Sequence, residues 1–341
     1  MRKQRGLSLI ELMVAMLLGL IVTGAVLQVF LSSKTTFVMQ GNLNRLQENG
    51  RFALQYLAQQ VRPAGIGLGV RLPEESICVV ASNADPADWA GIHRPVWGRT
   101  SAGAAGELGV AGSDEVHVFA NDGCEAFLTE GEVMAPGKNA NVKVDRYCPS
   151  MQQNQLVMVA DLQKAVVIRI TNAPNANVKE PTLAHAAGTN NAAALCGGFK
   201  FSEIRFESPA RIFGFAHRVF YVAETGRNGV DGRPLHALFV RNSATGVAEE
   251  MVEGVQSMRV HYGLVAAGGV GVRDYLSAAE VEAANRWDDV RTLSFELLLE
   301  SDGQLASARD QAVVFDGAAV AADGRLRQVY RTVVALRNRI D

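Results

Sequence analysis

Hydrophobic positions crowd the start of the chain and then thin into two successive rhythms. From Leu12 to Leu31 there are 20 residues without a charge. At a rise of 1.5 Å per residue such a run crosses the ~30 Å hydrocarbon core of a bilayer once. Apolar positions then fall at three- and four-residue steps: Met39, Leu43, Leu46, Gly50, Ala53, Leu57 and Val61, with Asn42, Arg45, Glu48, Gln55 and Gln59 between them. That spacing predicts an amphipathic continuation of the same helix, ended by Pro63 and Gly65. One helix from Leu7 to Arg62 would be about 84 Å long, its first half in an apolar medium and its second half laid along a soluble domain.

Beyond Gly65 the rhythm shortens to alternation. Segments such as Met258-Arg259-Val260-His261-Tyr262 and Leu293-Ser294-Phe295-Glu296-Leu297 read as half-buried strands. Strands are predicted at Glu115–Ala120, Gln155–Asp161, Ala165–Thr171, Ile212–Ala223, Leu235–Asn242, Val255–Leu264, Val290–Glu300 and Arg327–Leu336. Mostly short links favour antiparallel pairing. Ser277-Ala278-Ala279-Glu280 is a capping-box pattern that opens a short helix before Trp287. Gly/Ala/Asn-rich loops are expected at about 81–113, 121–154 and 171–198, and no internal repeat is visible. The fold class is therefore α+β: a long N-terminal helix on a mostly antiparallel, β-rich domain.

Charge orients the helix. Arg2, Lys3 and Arg5 precede the apolar run and nothing as dense follows it, so the positive-inside rule puts the N-terminus in the cytoplasm. Everything after about residue 34 then lies across the membrane. The run is too long for the h-region of an ordinary secretory signal. Over the whole chain, 48% hydrophobic and 20% charged residues exclude a disordered protein. A net charge of −2 gives no global pull toward nucleic acid. Glu11 is the anomaly, because a carboxylate within an apolar segment costs about 2.5–3.5 kcal/mol and is usually paired or functional. A Glu that snorkels to the interface is the plainer alternative.

Gly6-Leu7-Ser8-Leu9-Ile10-Glu11-Leu12, basic before and apolar after, closely resembles the class III signal of type IV pilins and pseudopilins. The resemblance implies that a prepilin peptidase cuts between Gly6 and Leu7 and that the amine of Leu7 is methylated. Glu11 becomes the fifth residue of the mature chain and neutralises the N-terminal ammonium of a neighbour during assembly. Leu7 replaces the usual aromatic and Ser8 the common Thr. Losing Arg2, Lys3 and Arg5 takes the net charge from −2 to −5. A second resemblance, to PilW-type minor pilins, rests on Glu253-Gly254-Val255-Gln256-Ser257-Met258, His261-Tyr262-Gly263, Trp287, Val290-Arg291 and Arg331 to Arg339. Arg62-Pro63-Ala64-Gly65 fits the same group, although Pro63 departs from it. The two resemblances imply a type IV pilin-like organisation: a cytoplasmic leader over 1–6, a transmembrane half-helix over 7–33, an amphipathic half over 34–62 and a periplasmic head over 63–341.

Cys78, Cys124, Cys148 and Cys196 are even in number and widely spaced, and the far side of the membrane is oxidising. Two disulfides are expected, with three connectivities open. No paired C-x₂-C spacing points to zinc. Gly65-Ile66-Gly67-Leu68-Gly69 follows a helix instead of a strand, and the Gly131 to Lys138 stretch misses the P-loop spacing. The six histidines form no HExxH and no G-x-S-x-G occurs. Asn228-Gly229-Val230-Asp231-Gly232 has oxygen ligands suited to calcium, but reads better as a turn between strands.

The expected function is a structural one. The family implies a minor pilin, bound to the inner membrane, that primes pilus assembly at the tip with other minor pilins, the major pilin and a large adhesin, in the service of adhesion and twitching motility. No enzyme activity, cofactor, metal or nucleic acid is expected. The alternatives are a J-type minor pseudopilin of type II secretion, a single-pass periplasmic enzyme, which would need an acid–base or nucleophile cluster, and a DNA-uptake pilin, which the acidic mature chain disfavours.

Overall fold

The structure is a computed structural model that describes residues 9–65, 72–81, 91–103, 107–135, 141–196, 204–243, 245–265, 271–305 and 308–337. Helix α1 runs from Leu9 to Val61 without a break, about 80 Å at 1.5 Å per residue. Its end is local chemistry. Pro63 has no N–H to continue the ladder, and Gly65 takes φ +116° and donates its N–H to the Phe119 carbonyl at 2.7 Å.

The strands that follow fall into two groups. The first is β1 (Ile77–Ala81), β2 (Val96–Thr100), β3 (Asp114–Phe127), β4 (Leu156–Ala160), β5 (Ala165–Arg169), β6 (Asn190–Cys196), β7 (Arg211–Asn228), β8 (Pro234–Asn242) and β9 (Val247–Glu253). The second is β10 (Val255–Val265), β11 (Val272–Leu276), β12 (Val290–Gln304) and β13 (Arg325–Ala335), with the short helix α2 (Ala278–Ala283) between β11 and β12. The first nine form one sheet in the order β9-β8-β7-β4-β5-β1-β6, with β3 also on β7 and β2 on β3. The other four form a sheet in the order β11-β10-β12-β13. Strand β7 organises the larger sheet. One edge pairs with β3 over Arg211 to Phe220, while β4 takes Arg211 to Gly214 and β8 takes Arg218 to Asn228.

All eight strands expected from alternation are present and most extend further, β7 by five residues beyond Ala223. Among the described strands the pairing is antiparallel except β1 with β5, which is parallel, as is the isolated bridge of Gly65 with Ala120. The stretches expected as loops are more ordered than their composition suggests. Strands β1, β2 and β6 and the second half of β3 lie in or beside them, together with a short pairing of Asn141–Lys143 with Thr182–Ala184. The capping box is formed, since the Ser277 side chain accepts from the Glu280 N–H and the Glu280 carboxylate accepts from Ser277. Asn228 to Pro234 is a turn joining β7 to β8. Its Asp231 is engaged by arginines.

The largest apolar cluster lies where α1 meets both sheets. It joins Leu46, Ala53, Leu57 and Val61 of α1 to Val116, Val118, Phe220, Leu238 and Val240 on the larger sheet, and to Met258, Val260, Tyr262, Leu293, Phe295 and Leu297 on the smaller one. Two further clusters fill the part of the head built from β1, β4 and β5.

Candidate functional site

The site is α1 together with its seat on the head. Two lengths of one helix meet opposite environments. From Leu9 to Val38 every large apolar side chain is solvent-facing, including Leu20 at 74%, Phe30 at 64% and Phe37 at 76% exposure. This is the one helix among the described residues long and apolar enough to cross a membrane. From Leu46 on, Leu46, Gly50, Ala53, Leu57 and Val61 are buried, at steps of four, three, four and four. The expected stripe is thus realised from Leu46 onward, with Leu43 packed at its margin. Met39, the first position of the expected stripe, is exposed.

Polar contacts fix how the seated half lies. Arg45 reaches Glu253 at 3.7 Å and Asp302 at 3.4 Å, and the Asn49 side-chain amide donates to the Glu253 carbonyl at 3.0 Å. At the other end the Arg337 N–H donates to the Arg62 carbonyl at 2.9 Å, which ties the end of α1 to the residues just past β13. Gly50 sits under the Tyr330 ring so closely that a Cβ there would lie 2.5 Å from it. A side chain at Gly50 would push helix and strand apart.

Below this seat a charged network clamps the two sheets together. Arg325, with its side chain 2% exposed, donates to both Asp231 oxygens at 2.7 and 2.9 Å and to Glu300 at 2.7 Å. Arg327 donates to Asp323 at 2.6 Å, to Glu300 at 3.3 Å and to Gln256 at 2.8 Å, and Arg233 joins Asp231 to Asp323. The hydrogen bonds from Arg325 hold the Asp231 carboxyl well below the usual range despite partial burial, and those from Arg327 do the same for Asp323. Glu253 and Asp302, the residues that grip Arg45, flank this network in sequence. The helix seat and the sheet clamp are therefore one construction.

Among buried titratable groups, Glu115, His117 and His217 come closest to a reactive cluster. Burial alone would raise the Glu115 carboxyl, but His117 beside it at 3.9 Å and hydrogen bonds from the Gly109 N–H and Arg99, each at 3.0 Å, outweigh it and hold it at about 2. Burial pushes His217 well down, so it stays neutral. The imidazoles of His117 and His217 approach to 3.1 Å and lie stacked between Trp97 and Phe119. That arrangement is packing inside the sheet. No group of three His, Cys, Asp or Glu suited to a metal occurs among the described residues.

Gly6 and Leu7 lie outside the described residues, as do most of Gly65 to Gly69 and the Gly137-Lys138 end of the rejected loop. Glu11 stands in the first turn of α1, exposed to solvent and favourably disposed to the helix dipole. Cys124 and Cys148 form a disulfide with Cα atoms 5.8 Å apart. Cys78 is also disulfide-bonded, and its Cα partner across β1 and β6 is Cys196.

The prokaryotic N-terminal methylation motif matches residues 1–27, and type IV pilus-assembly protein W matches residues 219–338. The chain is type IV pilin-like, most like a PilW-type minor pilin. No curated protein and no solved structure matches it. The PilW match begins within β7 and ends just past β13, so it covers the smaller sheet, the arginine clamp and the strands that seat α1. The methylation motif implies processing by a prepilin peptidase and assembly with other pilins. With the apolar helix, it suggests a single-pass inner-membrane protein. The PilW family is structural, in keeping with a site that offers a packing surface.

Proposed function

We propose that this minor pilin primes assembly of a type IV pilus and stays at its tip with other minor pilins and a large adhesin. Cleavage falls between Gly6 and Leu7, and Leu7 carries the methylated amine. Residues 7–33 hold the chain in the inner membrane, 34–62 seat the head, and 63–341 form that head in the periplasm. The observation that carries the reading is the division of α1, whose apolar length from Leu9 to Val38 finds no cover on its own head. Lipid covers such a surface before assembly, and neighbouring helices cover it after extraction. The PilW match favours the pilus over a type II secretion system, which shares the N-terminal motif.

Glu11 separates anchoring from assembly. Removing a carboxylate from an apolar segment leaves insertion unchanged or slightly better. When helices bundle, a neighbour's buried ammonium without its partner costs roughly 3–5 kcal/mol. Glu11→Ala is therefore expected to remain in the inner membrane, to co-purify poorly with other minor pilins, and to support fewer surface pili. Glu11→Gln recovers only part of this, because an amide hydrogen-bonds without neutralising. Wild-type recovery of partners and pili in Glu11→Ala would favour the snorkelling account.

The second disulfide joins Cys78 to Cys196, the Cα partner it faces across the sheet. Each bridge of this kind contributes ~2–4 kcal/mol. Alkylation of the unreduced protein is expected to label none of the four cysteines, and peptide mapping should recover Cys124 with Cys148 and Cys78 with Cys196. Stoichiometric labelling of any one of them would refute the two-bridge arrangement.

A further inference from the structure

The arginines of the head mostly end on carboxylates: Arg227 on Glu250 and Glu253, Arg259 on Asp114 and Asp316, Arg331 on Glu296. Arg51, Arg62 and Arg337 do not. All three are exposed, and none pairs with a carboxylate among the described residues. They belong to one surface. The bond from the Arg337 N–H to the Arg62 carbonyl sets those two side by side, on a groove of about 480 Å³ whose wall continues through Gln55 and Gln59. A second groove, of about 390 Å³, starts at the same Gln55 and holds Arg51 and Phe52.

Phe52 is the apolar centre of this strip. At 100° per residue it projects away from the buried seam of Leu46, Gly50, Ala53, Leu57 and Val61, on the side that also carries Phe30 and Phe37. It is 50% exposed, yet it is not loose. Its ring stacks on Tyr56 at 6.2 Å, and Tyr56 in turn meets the buried Phe220 edge-on at 6.2 Å. A half-exposed aromatic braced by the core and framed by unpaired guanidiniums has the make-up of an interface anchor with a charged rim.

The occupant follows from charge and distance. Among the described residues Glu48 is the one acidic side chain lining either groove, so the strip calls for a partner that brings carboxylates. Anionic lipid is a poor candidate. Arg51 lies 20 residues past Leu31, about 30 Å along the helix, several times the ~8–10 Å over which salt screens a surface field. The strip is carried by the same helix as the exposed apolar length, and Phe52 is the next exposed large apolar side chain after Met39. We propose that the outward strip of α1 around Phe52, framed by Arg51, Arg62 and Arg337, docks the acid-bearing head of a neighbouring pilin-like subunit. The inference rests on the minor-pilin reading and adds to it a second contact surface, outside the membrane segment.

The test places the photoreactive residue p-benzoylphenylalanine at position 52 of the full chain, in cells that make the other pilin subunits. Irradiation is expected to yield an adduct with another pilin-like subunit, whose cross-linked peptide carries Asp or Glu. Combining it with Arg51→Glu and Arg62→Glu should cut the adduct about tenfold, since two favourable rim pairs become repulsive. Thermal unfolding of the head should not change, because neither side chain packs in the core. A lipid adduct, no adduct, or an undiminished yield in the double variant would overturn the proposal. Precursor cleavage and surface pili in the same strains report separately on the minor-pilin reading. Normal pili without an adduct would sink only this contact.

Discussion

Gly6→Val is expected to leave the protein as an uncleaved precursor, heavier than the mature chain by residues 1–6. The family's peptidase accepts a small residue before the scissile bond, and a β-branched side chain would meet the wall of that subsite. Valine is apolar, so insertion of the following helix is unaffected and the precursor should accumulate in the inner membrane. It keeps Arg2, Lys3 and Arg5. Drawing that tract through the hydrocarbon core costs about 2.5–3.5 kcal/mol per charge on insertion scales, so extraction into a filament is blocked as well as processing. Intact-mass spectrometry of the membrane fraction reads the first effect and counts of surface pili read the second. Normal removal of residues 1–6 in this variant would place the cut elsewhere.

Arg325→Ala should be the most damaging single change in the head. It removes the guanidinium that bridges Asp231 to Glu300 beneath the α1 seat, and leaves Glu300, only 3% exposed, with the longer contact from Arg327 at 3.3 Å and Asp231 with Arg233. Breaking a buried pair on one side costs roughly 3–5 kcal/mol, a large share of a typical domain's stability. Loss of the clamp should also loosen α1, because Glu253 at the end of β9 and Asp302 near the end of β12 grip Arg45. Thermal unfolding of the wild-type head should show the same network through pH. Asp231 and Asp323 both have carboxyls held below the usual range, so their contribution is complete above about pH 4. It is lost as pH falls further and protons bind the folded state. Arg325→Ala should flatten that acid dependence as well as lower the transition. An unchanged transition in the variant would mean that the clamp is incidental to stability.

The two ends of the chain were legible for different reasons. An uncharged apolar run is a one-dimensional property, and so are a basic tract before it and a three-four rhythm after it. The helix of Leu9–Val61 and its buried seam at Leu46, Gly50, Ala53, Leu57 and Val61 therefore follow from local spacing alone. Strands with a core on one face alternate, which is why β10, β12 and β13 were readable from Met258, Phe295 and Val334. Strand β1 was not; all five of its residues are buried and such a run carries no period, as in β4, which was legible from its apolar run without one. Strand β9 was missed for the opposite reason. It is an edge strand with four exposed residues in a row, held by its pairing with β8.

What the amino-acid order determined by itself is the apolar run, the N-terminal methylation motif, the helix and its seam, and most strands of the two sheets. Each depends on residues near one another in sequence, where rise, charge and periodicity act directly. Only the tertiary structure decided the pairing of Cys124 with Cys148, the approach of Tyr330 to Gly50, and the gathering of Asp231, Glu300, and Asp323 with Arg325 from three separated places. It also decided which arginines found carboxylates and which, at positions 51, 62 and 337, were left facing outward. A guanidinium's partner is fixed by how sheets stack and which edges meet. Such choices are made by the packing of the whole chain, so no local spacing records them.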